Sequence, residues 1–79
     1  MEEIERLLEL LRDVNEEVDF SKETALVDDG LIDSFDIIAI IAALDEAYNI
    51  HIEAADIGPE NFNSAESILK MVTAYQRKA

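Results

Sequence analysis

A chain of 79 residues with 19 acidic and 6 basic side chains, net charge −13, repels nucleic acid and anionic lipid and attracts proteins with arginine- and lysine-rich patches. Its length suits one domain, residues 1–79, with little room for a deep catalytic cleft, and its 49% apolar content is enough for a folded core. The absence of cysteine excludes disulfides, thiolate metal sites and thiol catalysis.

Met1-Glu2-Glu3-Ile4-Glu5 is acidic where a secretory signal needs a basic and then an apolar segment. The longest apolar run, Ile37–Leu44, is eight residues and far too short to span a bilayer. A cytoplasmic, monomeric protein without membrane or nucleic-acid partners is the expectation.

From residue 2 to about 16, Ile4, Leu7, Leu8, Leu11 and Val14 form one stripe of a 3.6-residue helix, with Glu3, Glu5, Glu9 and Asp13 turned to water. Between Glu17 and Asp33 the periodicity is lost. Val27-Asp28-Asp29-Gly30 signals a turn, and the scattered Phe20, Leu26, Leu31 and Ile32 predict a loop laid down on the core. Asp33 is a good N-cap with Asp36 three residues on, and a second helix runs from Ser34 to about Tyr48. Ile37, Ile38, Ile40, Ile41 and Leu44 make it apolar nearly all round, the pattern of a central helix that also shows a face to a partner. Its β-branched isoleucines require tertiary packing to stay helical. Residues 53–57 predict a single helical turn stopped by Gly58-Pro59. Asn63 then offers an N-cap, with Glu66 at the capping-box position, for a last helix from Ser64 to about Arg77. The expected fold is all-α: a small four-helix bundle of three main helices and one short one, with a long first loop.

The informative stretch is Gly30-Leu31-Ile32-Asp33-Ser34-Phe35-Asp36, which places a serine between acids in the first turn of the most apolar helix. A hydroxyl there is exposed, and an anion attached to it would meet unpaired backbone N–H groups and the positive end of the helix dipole. With the acidic first helix, the long loop, Ala43-Leu44-Asp45-Glu46, Ile50-His51-Ile52 and Phe62-Asn63-Ser64, the chain resembles the acyl carrier protein family, including peptidyl carrier domains, from about residue 4 to residue 76.

That resemblance implies a non-enzymatic carrier. A phosphopantetheinyl transferase using coenzyme A would attach 4′-phosphopantetheine to Ser34, and acyl intermediates of fatty-acid, polyketide or related biosynthesis would ride on the arm as thioesters. It further implies that Asp33, Phe35, Asp36, Asp45, Glu46 and Ile52 meet partner enzymes bearing basic patches. The chain departs from many fatty-acid carriers at Ala39, where they have an acid, and at Ala42, where they have methionine. A carried acyl chain would fold back among Ile37, Ile41, Leu44 and Ile52, unless these are plain core residues. An aminoacyl or peptidyl carrier is the nearest alternative, and an acidic helical interaction module without a covalent arm a more distant one.

Two rival sites fail on composition. Set as a calcium loop starting at Ala25, the Asp28-Asp29-Gly30 segment puts hydrocarbon at the first and third ligand positions, so no metal site is expected. His51, the sole histidine, would have to reach Ser34 to serve a hydrolase, and no Gly-x-Ser-x-Gly elbow or glycine-rich oxyanion loop is present.

Overall fold

The spacing of Ile4, Leu7, Leu8, Leu11 and Val14 becomes helix α1, Glu2–Val14, in the computed structural model, which describes residues 2–78. Leu7 and Leu11 are buried outright, and Ile4, Leu8 and Val14 pack against the core they enter. Helix α2, Ser34–Tyr48, buries Ile40 and Leu44 completely. That burial, at about 1.5–3 kcal/mol for a large aliphatic side chain, offsets the poor helix propensity of its isoleucines. Asn49 ends α2 in the left-handed region, φ 54° and ψ 52°, and its N–H donates to the Asp45 carbonyl. Asparagine tolerates this conformation better than most residues with a Cβ.

The segment between α1 and α2 is ordered, as its apolar studs predicted. Phe20, Leu26 and Ile32 join the core, with Val18 and Val27 packed against it. Asp19 organises the first turn: its carboxylate accepts from the Ser21 hydroxyl and N–H, and the hydroxyl bond leads the effects that hold its pKa below the usual aspartate value. Gly30 adopts φ 69°, a conformation that favours glycine. The chain thus turns back so that Leu31 and Ile32 donate to the Leu26 carbonyl at 2.9 and 3.2 Å.

The connection after α2 differs from expectation in two places. Residues 54–56 form a 3-10 turn, and the short helix α3 is Pro59–Phe62. Proline, read as a stop, also starts α3, because the first helical position needs no N–H and favours a φ near −65°. One turn cannot stand alone. Complete burial of Phe62 holds it against helix α4, Ala65–Lys78. The cap of α4 is Ser64, one residue later than predicted: its hydroxyl accepts from Ser67 N–H at 3.1 Å, and the Ser67 hydroxyl accepts from Ser64 N–H at 3.2 Å. Ala65, Ile68, Met71 and Val72 complete the core, and α1 lies against both α2 and α4. The all-α bundle with three principal helices and a short one is the architecture expected.

Asn63, freed from capping, fastens the long loop. Its side-chain carbonyl accepts from Val27 and Asp28 N–H at 2.9 and 3.1 Å, its amide donates to the Asp28 carboxylate at 3.0 Å, and its backbone carbonyl accepts from Leu26 N–H at 2.9 Å. The final turn of the loop, which delivers the chain to Ser34, is therefore fixed from the α3–α4 junction.

Candidate functional site

Helix α2 begins at Ser34 because Asp33 and Asp36 close a reciprocal capping box. The Asp33 carboxylate accepts from Asp36 N–H at 2.9 Å, and the Asp36 carboxylate accepts from Asp33 N–H at 3.2 Å. Aspartate serves at the third helical position where glutamate is usual. The Asn15 amide also donates to Asp36 at 3.5 Å, linking the end of α1 to the start of α2.

Ser34 is exposed, and among the described residues its hydroxyl has no hydrogen-bond partner. The Ser34 and Phe35 amides belong to the first turn and have no intrahelical acceptor. In the same stretch of chain Phe35, one residue on, is 80% exposed, Ile38, one turn on, is 64% exposed, and Leu31, in the loop before α2, is 37% exposed. Large apolar side chains left in water beside one another mark a contact surface more than isolated ones do. Ala39 and Ala42 extend the exposed face along α2 as a low strip, and Glu46 lies in the open beyond them.

The other residues expected at a partner surface divide. Asp33, Phe35 and Glu46 are exposed and Asp36 is half-buried. Asp45 is half-buried and structural: one carboxylate oxygen accepts from Ile52 N–H at 3.1 Å, and the other lies 4.0 Å from His51 Nδ1. Ile52 is a correction. Only 5% exposed, it packs in the core and has no side-chain surface to offer a partner, while its backbone N–H donates to the Asp45 carboxylate.

His51 is not brought to Ser34. The two lie at opposite ends of α2, whose 15 residues span roughly 22 Å. No group of His, Asp and Glu residues suited to a metal ion occurs among the described residues. No helix is long and apolar enough to cross a membrane.

The tie between Tyr75 and the turn after α2 escaped the sequence. The Tyr75 hydroxyl on α4 donates to the Asp56 carboxylate and accepts from Glu53 N–H at 3.0 Å, pinning the 3-10 turn. The Asp56 bond is the main cause raising the Tyr75 pKa above the usual tyrosine value. The i to i+3 rhythm of an α-helix gives no sign of which remote carboxylate the Tyr75 hydroxyl will find. Ile37 and Ile41 are half-buried and Leu44 and Ile52 buried, and the described cavities lie elsewhere, against α4 and its junctions.

Comparison with protein-family models, with curated proteins and with solved structures returned no match to this chain.

Proposed function

We propose that this protein is an acyl carrier, with Ser34 as the attachment point of a 4′-phosphopantetheine arm. The observation that carries the reading is the bare Ser34 hydroxyl, held in the first turn of α2 by a capping box, on a helix end that leaves Phe35 and Ile38 in water. In loading, the Ser34 oxygen would form a bond to the β-phosphorus of coenzyme A and 3′,5′-ADP would leave, with the serine proton passing to the transferase. The Ser34 and Phe35 amides and the positive end of α2 favour the resulting phosphodiester. Asp33 and Asp36 oppose it, and this opposition is tempered because each carboxylate already accepts a backbone N–H. The arm supplies the thiol, absent from this cysteine-free chain, on which acyl groups are held as thioesters.

Partners that fit this face of α2 combine a pocket for Phe35 and Ile38 with lysine or arginine facing Asp33 and Asp36 at its start and Glu46 near its far end. A transferase and acyl-loading or synthase enzymes with basic patches have that chemistry. Aminoacyl cargo uses the same arm and the same serine. A purely adhesive module would use the apolar face but has no need of the hydroxyl.

The test is intact mass after incubation with coenzyme A and a phosphopantetheinyl transferase of broad specificity. The expected result is a gain of one phosphopantetheine on the wild type and none on Ser34→Ala, with far-UV circular dichroism unchanged because Asp33 still caps the helix. Unmodified wild type, or modification persisting in Ser34→Ala, defeats the proposal.

A further inference from the structure

We infer that the groove between α1 and α4, remote from Ser34, is a docking site for an acidic amphipathic helix of another protein. The inference goes beyond the carrier reading and does not depend on it.

The groove is open, about 1110 Å³, and runs the length of α4 from Ser64 to Arg77, roughly 20 Å or about four helical turns. Ile4 and Leu69, half-buried, and Ala74, exposed, supply its apolar surface, with the hydroxyls of Ser64, Ser67 and Thr73 among them. Lys70 and Arg77, two of the six basic residues in a chain of net charge −13, stand exposed along its α4 side. Among the described residues neither has a carboxylate within 4.0 Å. They are seven positions apart, two turns of one helix face and about 10 Å along the axis. Carboxylates at i and i+7 of a partner helix have the same separation, and the apolar residues between them would fall on Leu69 and Ala74, the helix-in-groove arrangement.

The charges also orient the occupant. Glu66 closes the other end of the groove, and Glu3 and Glu5 flank Ile4 on α1. The partner's carboxylates must therefore lie on the α4 side, toward Arg77. The acidic surface as a whole opposes an acidic ligand, but at about 0.15 M salt charges beyond roughly 8 Å are largely screened, whereas pairs in contact are screened less. A second copy of the chain would bring a whole body of −13 against the groove, where a short acidic helix brings only a few charges.

The test uses the full-length ¹⁵N-labelled protein and a blocked synthetic helical peptide with glutamates at i and i+7 and leucines at i+3 and i+4. The expected result is chemical-shift change at Ile4, Leu69, Thr73 and Ala74, at least tenfold weaker binding by the Lys70→Glu/Arg77→Glu double variant, and unchanged binding by Ser34→Ala. A peptide with lysine in place of glutamate should bind at least tenfold more weakly. Four outcomes overturn the inference: no shifts at any peptide concentration, shifts gathered on α2, equal binding of the lysine peptide, or undiminished binding by the double variant. Shifts at these residues that grow with protein concentration alone, matched by self-association in sedimentation, would assign the groove to a second copy and overturn it equally. Both substituted side chains are exposed, so the double variant is expected to fold, and its thermal melt verifies this.

Discussion

At its N-terminal end α2 presents Phe35 and Ile38 to solvent beside an unpartnered serine, whereas its C-terminal end is tied to α1 and to the connection that follows it. Arg6 on α1 donates to the Ala47 carbonyl at 3.0 Å and lies 4.8 Å above the Tyr48 ring. The Asp45 side chain accepts from Ile52, and its backbone carbonyl accepts from Asn49 and Ile50. Beyond that, Tyr75 holds the 3-10 turn to α4. The contrast shows how a 79-residue chain can leave large apolar side chains in water and still fold: one end of the helix is anchored while the other stays uncovered.

The largest effects should separate core from surface within this one helix. Leu44→Ala removes a fully buried side chain and is expected to cost about 2–5 kcal/mol. Phe35→Ala removes a larger but mostly exposed one and should fall within about 0.5 kcal/mol. Urea unfolding measures both. A loss above about 2 kcal/mol from Phe35→Ala would mean that its ring is needed by the fold, and the contact surface around Ser34 would lose its principal member.

Smaller changes test the two ends directly. Asp45→Ala leaves the Ile52 N–H without its acceptor and should cost about 1–3 kcal/mol. Asp33→Ala removes the N-cap at about 1 kcal/mol. The two should also differ in kind. Losing Asp33 should slow modification of Ser34 by fraying the first turn, whereas losing Asp45 should lower stability with little effect on that reaction. Equal slowing by both would show that the ends of α2 are coupled and that the division drawn between them is false.

What could be read in advance follows the range of the interactions involved. The helices were legible from periodicity, and the start of α2 at Ser34 from Asp33 and Asp36, because a capping box is closed within four residues. The apolar loop was legible for a similar reason: Phe20, Leu26 and Ile32 have no other place to go. Asn63 was misassigned because Asn63 and Ser64 are both good caps. The contest was settled by the Val27 and Asp28 amides, which lie far away in sequence. The resemblance to the carrier family placed Ile52 on the partner surface, but the fold buries it at 5% exposure, and a likeness of motif does not say which side chains face inward. Pro59 carried two meanings, stop and start, and the buried Phe62 three residues later selected the second.

The smallest expected effect is alkaline and concerns only the anchored end. Tyr75 is neutral when it donates to Asp56, and its pKa is raised above the ordinary tyrosine value near 10. Folding therefore favours the protonated phenol. The stabilisation is complete below that ordinary value and fades as pH rises through the higher folded one. Tyr48 has a pKa raised chiefly by burial and will contribute to the same loss. Thermal melts of the wild type between pH 8 and 11 should thus show a decline that Tyr75→Phe makes shallower without abolishing. Asp33, Asp36 and Ser34 carry no tyrosine contact among the described hydrogen bonds, so the amide shifts of the α2 first turn should stay constant over the range in which those of Glu53 and Asp56 move. Parallel movement at both ends would indicate that Tyr75 holds the whole helix and not only the turn that follows it.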